Sequence, residues 1–169
     1  KVVVTLWYRA PELILGEQNY SPAVDMWSMG CILASLMLAK EPNIRALFQG
    51  TNKEGNQNPF QSDQLDRIFA RLGYPTSSTW PEASKLPEYP KMVVKKPGHS
   101  VTSADLRTLF PLASETCVEF MHRLLELNPA KRMTASEALR HPYLNVSPRP
   151  GENSLEHAGP LFAKFEDHA

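Results

Sequence analysis

The chain is 169 residues long, a one-domain length, and a compact body of that size buries about 70% of its unfolded surface. Eighteen basic residues balance eighteen acidic ones, which weighs against direct binding of nucleic acid or of a membrane surface, since both need a clustered basic excess. An apolar content of 42% is that of a globular chain and not of a disordered one.

Lys1-Val2-Val3-Val4 is too short for a signal peptide and no cleavage-like site follows it. With no initiator Met, the chain is expected to begin in mid-structure. The first strong element signal is Ser21-Pro22, read as an N-cap followed by proline at the first helical position. Behind it, Trp27 to Ala39 is the most apolar stretch, and its 13 residues fall short of the ~20 needed to span a bilayer. Trp27, Met29, Cys31, Ile32, Leu33, Leu36, Met37 and Leu38 make this helix apolar almost all round. The pattern predicts a helix buried in the middle of a larger body. Asp25, in its first turn, complements the helix dipole on the plainest reading.

Residues 40–60 turn polar and contain glycine, the signature of a long loop. Leu65, Ile68, Phe69 and Leu72 then recur at i, i+3, i+4 and i+7, an amphipathic helix capped by Ser62 and stopped by Gly73 and Pro75. Residues 74–113 hold six prolines and only short apolar patches, which predicts brief helical turns pinned to a surface. Lys91, Lys95 and Lys96, the nearest approach to a basic run, read as a solvated loop and not as a nuclear address. From Ser114, the residues Cys117, Val118, Met121, Leu124 and Leu125 mark another helix, ended by Asn128-Pro129. Thr134-Ala135-Ser136-Glu137 is a capping box opening a short last helix, which His141-Pro142 terminates. Past Leu144 the chain is rich in Pro and Gly and is expected to fray. The organisation read from this pass is a body over 1–144 and a tail over 145–169, mainly α with no convincing strand. The two cysteines, Cys31 and Cys117, both lie in apolar helical patterns and suit a reducing compartment.

Four motifs then fall in one order. Val4-Thr5-Leu6-Trp7-Tyr8-Arg9-Ala10-Pro11-Glu12-Leu13 resembles the end of a protein-kinase activation segment, closing on Ala-Pro-Glu. Asp25-Met26-Trp27-Ser28-Met29-Gly30-Cys31 resembles the start of the large helix of the kinase C-lobe. Asn128-Pro129-Ala130-Lys131-Arg132 resembles the turn carrying a buried arginine, and His141-Pro142-Tyr143 the closing His-Pro-aromatic. Within kinases, Trp7-Tyr8-Arg9 resembles the group that phosphorylates Ser or Thr followed by Pro. Leu47-Phe48-Gln49-Gly50, Asp63-Gln64-Leu65-Asp66-Arg67-Ile68-Phe69 and Leu72-Gly73-Tyr74-Pro75 resemble cyclin-dependent kinases. The extended loop leading to Asn58-Pro59-Phe60-Gln61 is most similar to the Mediator-associated, cyclin C-dependent branch, which includes the plant E-type kinases. Glu41-Pro42-Asn43-Ile44-Arg45 departs from the family as a small insertion, and Ala46 stands where Pro is usual. A mitogen-activated-type kinase, which shares Trp-Tyr-Arg-Ala-Pro-Glu, and a non-catalytic helical binding module are the alternatives.

The resemblance implies the mainly α C-lobe of a kinase, truncated before its ATP-handling parts. It implies ATP and Mg for the parent protein and no cofactor for this chain: no Gly-x-Gly-x-x-Gly occurs. His122-Arg123-Leu124…Asn128 is a decoy for the catalytic loop, since Leu124 stands where the essential Asp is needed. The histidines show no metal-ligand spacing. It further implies a cyclin partner, C-type, a Mediator-type complex, and protein substrates bearing Ser/Thr-Pro, such as the RNA polymerase II tail. The location implied is the nucleus, otherwise the cytoplasm.

For the residues, the Thr5 hydroxyl would support a catalytic Asp and Lys outside this chain, while Val3 and Val4 shape the pocket for the residue after the acceptor, within a platform that includes Trp7. Arg9 would hold the Val4 carbonyl. An incoming amide then finds no acceptor, a loss of about 1–3 kcal/mol that proline, having no N–H, escapes. Glu12 and Arg132 would form a buried ion pair, against the commoner exposed Glu. Asp25 would accept hydrogen bonds from catalytic-loop amides.

Overall fold

The computed structural model describes residues 6–38, 46–49, 62–95 and 106–146. Val3, Val4 and Thr5, most of the 40–60 loop and the tail from 147 onward lie outside the described residues. Within them the fold is helix, turn and loop, with no strand. A 3-10 turn (Leu6–Tyr8) leads into α1 (Pro11–Ile14) and then α2 (Ala23–Met37). Next come α3 (Ser62–Leu72), a second 3-10 turn (Pro81–Lys85), α4 (Tyr89–Lys95) and α5 (Leu106–Leu109). The chain closes with α6 (Glu115–Leu124), α7 (Ala135–Arg140) and α8 (Pro142–Asn145).

Helix boundaries follow local chemistry, sometimes one residue from the expected place. Pro22 takes the N-cap position of α2 itself, and Ser21 stands outside it, its Oγ accepting from the Ala23 amide at 3.3 Å. Ser62 is the first residue of α3 instead of its cap. Gly73 ends α3 at φ 87°, a left-handed conformation that disfavours any side chain, while its amide bonds the Phe69 carbonyl. Ser114 caps α6, accepting from the Cys117 amide at 3.2 Å. The helix stops at Leu124, earlier than Asn128-Pro129, because the turn that follows belongs to Arg132. At α7 the capping box closes on both sides. The Thr134 amide donates to Glu137 Oε2 at 2.8 Å, and the Glu137 amide to Thr134 Oγ1 at 3.3 Å. The Thr134 amide and hydroxyl hold the Glu137 carboxyl below the usual carboxylate range. His141 ends α7 and caps α8, its Nδ1 accepting from the Tyr143 amide at 3.1 Å. An accepting Nδ1 leaves the proton on Nε2, which faces the Glu119 carboxylate.

The core runs along one side of α2. Trp27, Cys31 and Ala34 are fully enclosed there, with Leu65, Ile68 and Phe69 of α3 and Cys117 and Met121 of α6 completing the cluster. Burial pushes the Cys31 thiol far up, with the Arg132 charge opposing only in part, so Cys31 stays protonated and is no nucleophile. Contact between α2 and α6 depends on Gly30. A Cβ built there lies 2.8 Å from Leu125 Cδ2 and 3.0 Å from Leu124 Cβ. Both leucines are buried, and the Leu124 contact is made by its Cβ, so a methyl is admitted only if the backbones themselves shift. Overpacking of this kind destabilises by about 1–3 kcal/mol, while alanine gains only about 1 kcal/mol in helix propensity. Gly30→Ala is therefore expected to lower unfolding free energy in the full-length protein, and a denaturant midpoint at or above that of the unaltered protein would contradict the close approach.

The opposite side of α2 corrects the expectation of a helix enclosed all round. Met29 is 51% exposed, Ile32 51% and Leu36 68%, and they line an apolar groove of about 410 Å³ with Phe120, Leu139 and Leu144. Among the described residues no element covers this face. The apolar composition of α2 is that of a two-sided core helix, and the described chain packs one of those sides.

Candidate substrate platform

The front of the chain is held down by one arginine. Arg132 lies in the turn after α6, with its side chain enclosed, and it reaches Glu12 in α1 across 120 residues of sequence. Nη1 donates to Glu12 Oε1 at 2.7 Å and Nη2 to Glu12 Oε2 at 2.9 Å, a bidentate pair. Nη1 also donates to the Ala23 carbonyl at 2.7 Å, Nη2 to the Leu127 carbonyl at 3.3 Å and Nε to the Glu126 carbonyl at 2.8 Å. Guanidinium has five N–H groups in a planar fork, and all five are used. Its Cζ lies 5.2 Å from the Trp27 ring centroid, adding a cation–π contact. A single side chain thus ties α1, the start of α2 and the 126–132 turn together.

Glu12 can sit at 2% exposure because that fork neutralises it. Its place follows from Pro11, whose fixed φ starts α1 at the first helical position and sets the carboxylate in the first turn. The Glu12 carbonyl accepts from Glu17, turning the chain toward α2.

Ahead of α1, the 3-10 turn Leu6–Tyr8 closes when the Arg9 amide donates to the Leu6 carbonyl at 3.0 Å. Trp7 and Arg9 are half-buried, and Tyr8 packs against the core. Asp25 is exposed in the first turn of α2. The structure therefore brings Glu12 and Arg132 into contact, with Trp7 and Arg9 in or next to the turn before α1 and Asp25 in the first turn of α2. Thr5, Val3 and Val4 directly precede the turn and lie outside the described residues.

Two side chains that the motifs did not single out also hold this region. The Ser28 hydroxyl reaches the Tyr8 carbonyl at 3.1 Å. Asn128 Nδ2 donates to the Thr79 carbonyl at 3.3 Å, and its Oδ1 accepts from the Ala130 amide at 3.0 Å. Both residues lie within quoted motifs, yet a small polar side chain carries no sequence signal of a partner tens of residues away.

A second cleft, of about 660 Å³, opens between the loop after α1, the Pro81–Lys85 turn and residues 128–130. Glu17 and Glu82 line it. Against these two carboxylates stands the single Lys85, which leaves this cleft the wrong sign for a triphosphate, and no step of phosphoryl transfer is assigned to it. No group of three or more His, Cys, Asp or Glu gathers for a metal among the described residues. No described helix is long and apolar enough to cross a membrane.

Comparison with known proteins decides the family. The model of the protein kinase domain matches residues 1–144. The chain belongs to the protein kinase domain family. It is 43% identical to cyclin-dependent kinase E-1 of Arabidopsis thaliana, over 95% of this chain and 33% of that protein. It is 42% identical to the serine/threonine-protein kinase SSN3 of Yarrowia lipolytica, over 92% of this chain and 38% of that protein. The serine/threonine-protein kinase ppk23 of Schizosaccharomyces pombe is 43% identical, over 98% of this chain and 38% of its own length. The chain thus spans about a third of the length of these relatives. Its mainly helical body is consistent with the C-terminal lobe of a kinase of the cyclin-dependent type.

Proposed function

We propose that this chain is the substrate-platform part of a Pro-directed serine/threonine kinase of the cyclin-dependent type, in the Mediator-associated branch. What carries the reading is the clamp of Arg132, whose fork gives two donors to Glu12 and three to carbonyls at the start of α2 and in the 126–132 turn, and so fixes the end of the Leu6–Glu12 segment beside α2. A segment so held can present a pocket for the residue after the acceptor without rearranging when a peptide arrives, which is what positioning requires. In that pocket, Arg9 occupies the Val4 carbonyl, Trp7 backs the turn, and Thr5 and Asp25 support a catalytic loop contributed by the full-length protein.

ATP and Mg are bound by the full-length kinase, and its partners are a cyclin, C-type by resemblance, and a Mediator-type complex in the nucleus. The substrates are proteins with Ser/Thr-Pro sites, among them transcription proteins such as the RNA polymerase II tail. The exposed Met29, Ile32 and Leu36 stripe fits a part of a larger protein, because an apolar face of this kind marks contact with further protein.

The test is phosphoryl transfer by the full-length protein with its cyclin, using ATP, Mg and a pair of peptides differing only in Pro or Ala after the acceptor serine. Preference for the Pro peptide in kcat/KM is expected, and about 1–3 kcal/mol of lost amide pairing corresponds to roughly five- to 150-fold. Equal turnover of both peptides removes the Pro-directed reading. No turnover of any Ser or Thr peptide removes the kinase reading.

A further inference from the structure

We propose that Ser28 is a positioning residue for this platform: its hydroxyl holds the Tyr8 carbonyl, and with it the turn carrying Arg9, against α2. The inference rests on the platform reading above and deepens it.

A serine inside a helix ordinarily turns its hydroxyl back onto the carbonyl four residues earlier. Ser35, in the same helix, does so with the Cys31 carbonyl at 2.9 Å. Ser28 has the same local option in the Val24 carbonyl at 3.1 Å, and reaches at an equal 3.1 Å the Tyr8 carbonyl, 20 residues away in sequence. The hydroxyl has one proton to share between them. The Val24 carbonyl, inside α2, has its helical environment in any case. The Tyr8 carbonyl ends a three-residue 3-10 turn that no long helix supports.

The geometry then runs through a short lever. Arg9 follows Tyr8 directly, and its amide closes the turn onto Leu6. The two clamps divide the work: Arg132 holds Glu12 behind the turn, and Ser28 holds Tyr8 within it. Without the hydroxyl the clamp at Glu12 persists, so the lobe keeps its fold while the turn gains freedom. In the function proposed above Arg9 denies an incoming amide its acceptor, and a looser turn weakens that denial. Discrimination against residues other than proline falls, because the penalty for a buried unpaired amide depends on denying it an acceptor.

The experiment compares full-length kinase, Ser28→Ala and Ser28→Thr, each with its cyclin, on the Ser-Pro and Ser-Ala peptides. Loss of one hydrogen bond predicts a roughly three- to tenfold drop in the Pro/Ala ratio of kcat/KM for Ser28→Ala. Ser28→Thr keeps the hydroxyl and restores the ratio. A Pro/Ala ratio unchanged in Ser28→Ala, with the unaltered enzyme still preferring Pro, overturns the role of Ser28 and leaves the platform standing. Equal losses on both peptides, as from a general structural defect, overturn it too. Absence of Pro preference in the unaltered enzyme instead brings down the platform reading, and this inference with it.

Discussion

Glu12→Ala lowers the unfolding free energy of the full-length protein by about 3–5 kcal/mol, read from equilibrium denaturation. The size follows from what is left behind. Arg132 remains enclosed and charged, with the two N–H groups that served Glu12 pointing at nothing. It cannot rotate out to water without abandoning the carbonyls of Ala23, Glu126 and Leu127. Replacing a buried ion pair by two apolar residues is often near neutral, because both desolvation penalties vanish together. Glu12→Leu combined with Arg132→Met should therefore recover part of the loss. Recovery stays incomplete here, since three backbone carbonyls lose their donor. Arg132→Lys is no conservative change either, because one ammonium cannot reproduce a five-donor fork. A Glu12→Ala protein with an unshifted midpoint would show that the pair contributes nothing.

Trp27→Ala carries the other large effect, about 3–5 kcal/mol by the same measurement. Trp27 is fully enclosed on the packed side of α2, stacked on Phe48 at 5.6 Å and 17°, with the Arg132 guanidinium on its ring. Truncation removes three things at once. It leaves a cavity where close-packed neighbours cannot collapse, it unstacks Phe48, and it takes the aromatic face from a buried cation. Trp27→Phe should be distinctly milder. Its ring keeps a face for Phe48 and Arg132, and it deletes the indole N–H, which has no partner among the described residues. Equal destabilisation by Ala and Phe would point to the indole's shape, and not to the stack and the cation, as what matters.

How much of this was legible beforehand depends on the range over which each signal acts. Thr134-Ala135-Ser136-Glu137 announces its helix completely, because both halves of a capping box lie within one turn. The stripe of Leu65, Ile68 and Phe69 is equally local, and those three residues are buried as their spacing predicts. α2 was legible as a helix but not in its exposure. Apolar residues all round say that every side is made to be covered, and which side this chain covers is a matter of which elements are present. The pairing of Glu12 with Arg132 came from a family resemblance and from no periodicity, since 120 residues separate them. Ser28 and Asn128 gave no warning at all: each bonds a backbone carbonyl 20 or 49 residues away, and carbonyls are anonymous in sequence.

By itself the sequence determined the longer helices, the caps of α6 and α7, the glycine stop of α3 and the ordered motifs that identify the family, because such signals are written in neighbours no more than a few residues apart. The tertiary structure alone decided that five donors of Arg132 converge on α1, α2 and one turn, and that a serine in α2 holds the turn before Arg9. Convergence of this kind depends on how helices cross, and crossing is set by close approach at places such as Gly30, where a missing side chain lets two backbones meet.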